Sequence, residues 1–140
     1  MSLSGLEGRA LIEGSAAGLA IVLEESLSFW GGFDPDSGRV IDRHHPQSGV
    51  SLTGLIVVMP GGRGSSSSSS VLAETVRAGT GPAGIVLGSI DSIIAIGALV
   101  ARELYGTVLP VVVVGDSYRT LVSGMSVTIS GSRIMVDSLP

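Results

Sequence analysis

Three short, unbroken apolar runs constrain this chain more than anything else in it: GLIVVMP at residues 54–60, AGIVLG at 83–88 and VLPVVVVG at 108–115. Continuous runs of this kind, bounded by Gly and Pro, mark strands buried on both faces. Between the first two lies VLAETVRAG, where Val71, Leu72, Thr75 and Val76 recur at helical spacing and Gly79 follows as a stop. Between the second and third lies SIIAIGALVARELYG, with Asp91 placed to cap its start. Strand, helix, strand, helix, strand implies two parallel crossovers, and hence a parallel sheet with helices packed on it.

The flanks are richer in β signals. GRALIEGSAAGLAIVLEESLSFW has β-favouring runs separated by Gly14 and Gly18, which predicts a strand, a tight turn and a second strand. GGFDPDSGRVIDRHHPQSG is dense in Gly, Asp, Pro and Ser and predicts a loop with one short strand at Arg39 to Asp42; its length invites a functional explanation. MSVTISGSRIMV predicts a closing hairpin around Ser130 and Gly131. No repeat and no linker splits the 140 residues, so the expectation is one mixed α/β domain over residues 1–140.

Composition narrows the function classes. Net charge is −4 with no basic run, which argues against nucleic acid and anionic membrane as partners. All eight Lys-plus-Arg positions are arginine, which excludes Schiff-base lysine chemistry and a Walker A loop. There is no cysteine, so thiolate zinc sites and iron–sulfur clusters cannot be ligated by this chain alone. The stretch Met1 to Glu7 lacks the features of a signal peptide, and the longest apolar tract, Ile85 to Ala101, is broken by Ser89, Asp91, Ser92 and glycines. A cytoplasmic location without a membrane span is expected.

The stretch that needs explaining is PGGRGSSSSSS, Pro60 to Ser70. A flexible linker belongs between independent units, whereas this one joins a buried strand to an amphipathic helix that must return to the same sheet. Ligands in parallel α/β sheets gather at the carboxyl ends of strands, beside the helix starts that follow. Gly61, Gly62 and Gly64 permit close backbone approach, first-turn N–H groups and serine hydroxyls present donors, and Arg63 adds a charged fork suited to a carboxylate or phosphate. The plainer alternative is a strand-to-helix turn in which serines serve only as caps.

A serine here can act on a substrate in several ways. As a hydrolase nucleophile it would want a relay from His44 or His45 with Asp34, Asp36 or Asp42, yet the chain has no G-x-S-x-G elbow. As a general base it would abstract a proton from carbon, with the alkoxide stabilised by Arg63 and the helix start. Trp30, Gly31 and Gly32 predict a packed turn that shapes a cleft wall or subunit interface, and Asp34 and Asp42 fit either caps or cleft carboxylates.

SFWGGFDPDSGRVIDRHHPQSGVSLTGLIVVMPGGRGSSSSSSVLAE, followed by IDSIIAIGALVARELYG, resembles the swivel domain of aconitase X, also found as the small subunit of two-subunit members. The likeness runs from about Gly8 to the last hairpin and rests on W-G-G, D-P, H-P and P-x-G-R-G-S in that order. It implies a swivelling β/β/α domain like the mobile fourth domain of aconitase, in a hydro-lyase whose active site lies between this chain and a large catalytic subunit in a heterodimer. It implies an iron–sulfur cluster held by that subunit and none bound by this chain alone.

By the same resemblance Ser65 is the catalytic proton acceptor; the chemistry of the turn itself makes Arg63, Gly64, Ser66 and Ser67 the candidates to bind substrate, and His45, Gly31 and Gly32 are candidates to line the cleft. R-G-S at Arg63 to Ser65 is similar to dehydratases of cis-3-hydroxy-L-proline, which yield Δ1-pyrroline-2-carboxylate; mevalonate 5-phosphate dehydratases commonly carry lysine before G-S. The unbroken serine run departs from relatives that place Cys, Thr or Gly among the serines. A non-catalytic swivelling binding or carrier module is the other class, and it would want a histidine where this chain has Ser65.

Overall fold

A computed structural model describes residues 3–62 and 66–137 of the chain. The three apolar runs form β6 (Ile56–Met59), β7 (Gly84–Leu87) and β8 (Val111–Val113), parallel to one another in register Val58↔Val86 and Val86↔Val112. The crossovers are α2 (Ser67–Ala78) and α3 (Ser92–Tyr105), ended by Gly79 and Gly106 at φ +77° and +68°, the left-handed conformation that glycine adopts without strain. α2 begins four residues earlier than the apolar periodicity indicates, because the last four serines of the run are its first four residues.

The strands alternate between two cores. Val57, Met59, Ile85, Leu87 and Val111 face Leu72, Ala73, Val76, Ile94, Ala98 and Ala101 of the helices. Ile56, Val58, Val86 and Val112 face Val127 and Ile129 of β9 (Ser126–Ser130) and Ile134 and Val136 of β10 (Arg133–Asp137). These buried positions on both faces explain why the runs carry no polar alternation.

The two sheet layers are joined by β3 (Ser15–Val22). Its first half pairs antiparallel with β9 and its second half pairs parallel with β6. Gly18 sits at this crossing, where a Cβ would lie 2.8 Å from the Gly54 carbonyl oxygen. It is therefore a close-approach position inside a strand, not the turn its flanks suggest; the turn falls at Glu13 and Gly14, between β2 (Arg9–Ile12) and β3.

β1 (Leu3–Glu7), which the sequence pattern does not announce, pairs with β10 beyond the expected terminal hairpin. β2 closes the other edge against β8, giving the strand order β1-β10-β9-β3-β6-β7-β8-β2. The result is a β/β/α stack. In the long loop, the short strand is Arg39–Val40 (β5), and it pairs with an unforeseen partner, Phe33–Asp34 (β4).

Candidate active-site edge

The carboxyl ends of β3, β6, β7 and β8 lie along one edge, and backbone bonds tie the segments leaving them. The N–H groups of Gly88 and Ser89 donate to the carbonyls of Met59 and Pro60 at 3.1 and 2.9 Å, and Val114 N–H donates to Leu87 at 2.9 Å. Pro60, Gly61 and Gly62 carry the chain out of β6 towards α2. Arg63, Gly64 and Ser65, the residues expected to bind and act on substrate, lie outside the described residues.

The two helices that start here are capped differently. Asp91 Oδ1 accepts the Ile94 N–H at 3.0 Å and so caps α3. Ser66, the N-cap of α2, makes no side-chain cap bond; Ser66 and Ser67 are both exposed at the helix start. An α-helix start carries unpaired N–H groups and the positive end of the macrodipole, so the start without a side-chain cap is the one receptive to an anion.

The rest of the serine run divides by burial. Ser68 is 3% exposed, and its Oγ accepts the Trp30 N–H at 3.2 Å and lies 3.4 Å from Ser28 Oγ. Ser28 Oγ in turn donates to the Trp30 carbonyl at 2.9 Å. Ser69 Oγ donates to the Ile93 carbonyl at 2.7 Å, tying the first turn of α2 to the first turn of α3. Deeper in the pair, Gly97 brings the helices together: a Cβ there would lie 2.9 Å from the Ser69 carbonyl oxygen. Nothing in the local sequence separates these buried serines from their exposed neighbours; only the partner segments do.

Gly31 and Gly32 belong to α1 (Phe29–Gly32), a single kinked turn in which Gly31 has φ +78°. The turn packs beside the start of α2 through Ser68, leaving the Trp30 side chain 61% exposed. The Gly32 carbonyl accepts from Ile41 and Asp42, which joins the turn to the histidine loop. His45 is buried: its Nδ1 accepts the Gln47 N–H at 3.1 Å, and its Nε2 lies 3.0 Å from the Glu25 carbonyl, which requires the Nε2–H tautomer. Both ring nitrogens are thus occupied in holding the segment after β3. His44 is exposed, its N–H donating to Asp42 Oδ1.

Beside the start of α2 is a small cleft of about 50 Å³, walled by Leu27, Phe29, Ile93 and Ile94 and carrying Gly62, Ser68 and Asp91. A larger groove, about 230 Å³, lies at the opposite edge near Val76, Pro82 and Val108. The chemistry favours the smaller one, because only it combines apolar walls with a carboxylate, a serine run and a helix start. An iron–sulfur cluster does not fit these residues: the chain has no cysteine, and among the described residues no group of three or more His, Asp or Glu is placed to hold a metal. Among the same residues no helix is long and apolar enough to cross a membrane.

This stack and edge define a β/β/α domain in which the start of α2 lies at the carboxyl ends of the parallel strands. The family model of the aconitase X swivel domain matches residues 5–137, and the chain belongs to that family. It is 50% identical over 81% of its length to a Pseudomonas aeruginosa cis-3-hydroxy-L-proline dehydratase, and 39% identical over 94% to one from Hypocrea jecorina. It spans about a fifth of those proteins, 20% and 22% of their lengths. The small subunit of phosphomevalonate dehydratase from Pyrococcus furiosus is 36% identical over 91% of this chain and 90% of its own. The crystal structure of holo aconitase X from Thermococcus kodakaraensis superposes with a TM-score of 0.87 at 31% identity, covering 96% of this chain and 99% of that one.

Proposed function

We propose that this chain is the swivelling small subunit of a hydro-lyase that converts cis-3-hydroxy-L-proline to Δ1-pyrroline-2-carboxylate and water. The observation that carries the reading is the start of α2: it follows the central strand β6, lacks a side-chain cap and is entered through Ser65. The substrate carboxylate sits at this start, held by first-turn N–H groups, Ser66 and Ser67, with Gly64 admitting it and the Arg63 guanidinium as counter-charge. Ser65 removes the proton from the carbon bearing that carboxylate. The positive helix end and Arg63 favour the serine in its deprotonated form.

The 3-hydroxyl leaves with a proton from an acid on the large subunit, and the enamine formed by loss of water rearranges to the cyclic imine. The large subunit also supplies any iron–sulfur cluster, as the absence of cysteine here requires of such a group. Phe29 of the α1 turn, and not the expected His45, Gly31 or Gly32, lines the small cleft; the turn at Gly31 and Gly32 is bonded to Ser68 through the Trp30 N–H. The 50% identity over 81% of the chain to the Pseudomonas aeruginosa hydroxyproline dehydratase, against 36% over 91% to the Pyrococcus furiosus phosphomevalonate subunit, supports the choice of substrate.

The test is dehydration of cis-3-hydroxy-L-proline by the chain alone and after co-expression with its large subunit, with mevalonate 5-phosphate in parallel. Activity on hydroxyproline in the mixture only is expected, and turnover of mevalonate 5-phosphate instead would overturn the substrate. Ser65→Ala in the complex is expected to lower kcat by about 10²–10⁴-fold, the scale of a lost general base. Normal turnover would remove Ser65 from the mechanism.

A further inference from the structure

Asp91 has two carboxylate oxygens and the α3 cap uses one. Oδ1 accepts the Ile94 N–H. Oδ2 faces Gly62, where a Cβ would lie 2.4 Å from that oxygen and 2.8 Å from Ile94 Cδ1. Position 62 thus carries no side chain over that oxygen, and both Gly62 and Asp91 line the cleft walled by Leu27, Phe29, Ile93 and Ile94. The ion pairs among the described residues are Glu74–Arg77, Glu103–Arg102 and Glu7–Arg133, and none engages Asp91. A carboxylate at the mouth of an apolar cleft, beside a helix start that attracts an anion, is complementary to a small zwitterion.

We propose that Asp91 Oδ2 receives the ring ammonium of the substrate while its carboxylate rests on the first turn of α2, the apolar walls covering the ring methylenes. This rests on the hydroxyproline reading above and adds its specificity determinant. The same carboxylate disfavours mevalonate 5-phosphate, which carries no cation and brings a phosphate instead. Gly62 is part of the device, because any side chain there displaces the oxygen or closes the cleft.

The experiment uses the complex of this chain with its large subunit. Asp91→Asn keeps an oxygen for the Ile94 N–H, and Asn is as good an N-cap as Asp, so thermal stability serves as the folding control. The expected result is a KM for cis-3-hydroxy-L-proline raised about 10- to 100-fold, the scale of one charge-assisted hydrogen bond. Inhibition by L-proline is compared with inhibition by tetrahydrofuran-2-carboxylate, which has oxygen in place of the ammonium. The wild type is expected to prefer L-proline about tenfold or more, and the variant to lose that preference. Asp91→Ser, which also caps well, carries the same expectation if the Asn variant is unstable. Wild-type turnover of hydroxyproline with an unchanged KM and preference in both variants overturns the inference and leaves the substrate reading intact. Wild-type turnover of mevalonate 5-phosphate alone overturns both.

Discussion

Replacing Ser68 by Ala, with Ser70→Ala as its matched partner, asks what the serine run does structurally. Both substitutions remove one hydroxyl from the first half of α2, and both gain helix propensity, about 0.3–0.5 kcal/mol. Ser70 is exposed, so its variant keeps that gain. Ser68 is buried and accepts the Trp30 N–H at 3.2 Å. Its loss strands a donor, which costs about 1–3 kcal/mol, and the long bond places the cost at the lower end of that range. The net effect is about 0.5–1 kcal/mol lost for Ser68→Ala and a few tenths gained for Ser70→Ala. For a domain of this size that is a Tm gap of roughly 4–6 °C between the two variants. The chain has one tryptophan, and it is Trp30. Its fluorescence therefore reports on the turn that Ser68 holds: acrylamide quenching should rise in Ser68→Ala and stay unchanged in Ser70→Ala. Equal Tm values and equal quenching would show that Ser68 does not anchor the turn.

Two further outcomes follow from the packing and the electrostatics. Gly97→Ala sets a helix-propensity gain of about 1 kcal/mol against overpacking of about 2–3 kcal/mol, the upper part of the usual range, because the nearest atom, the Ser69 carbonyl oxygen at 2.9 Å, is backbone that cannot swing aside. A net loss of about 1–2 kcal/mol is expected by thermal or urea unfolding, and a variant as stable as wild type would show that the helices do not meet there. The Ser37 hydroxyl, then the Asp36 N–H, hold the Asp34 carboxyl below its ordinary value. A depressed carboxylate contributes stability at pH above its unfolded value and loses it as pH falls through the folded one. Ser37→Ala should therefore move the Asp34 titration upward in carboxyl ¹³C NMR, and an unmoved midpoint would refute the Ser37 bond.

The parallel crossovers were legible because buried strands and amphipathic helices impose patterns within a dozen residues. The caps at Asp91, Gly79 and Gly106, and the hairpin at Gly131, follow from side-chain and backbone chemistry that is equally local. The rest depended on partners far along the chain. β1 has too few apolar residues to announce itself and exists because β10 offers it an edge. Gly18 carries the same letter as a turn glycine, and its strand-crossing role depends on the carbonyl of Gly54. His45 has a chemist's side chain in a polar loop, yet its surroundings are the backbone of Glu25 and Gln47, which no spacing rule connects.

The serine run shows why the candidate site was only partly readable. Six identical residues carry no internal pattern, so sequence assigns them one role, whereas the fold gives them different ones. Ser68 reaches back to a turn more than thirty residues upstream, and Ser69 reaches forward to α3. Ser66 and Ser67 face outwards at a helix start that has no side-chain cap of its own. Small hydroxyl residues suit all three tasks, since each can accept or donate in either direction at little cost in volume. The two buried hydroxyls fix the helix start against its neighbours, the α1 turn on one side and α3 on the other. A site built this way should tolerate Thr poorly at positions 68 and 69, where the extra methyl meets packed neighbours.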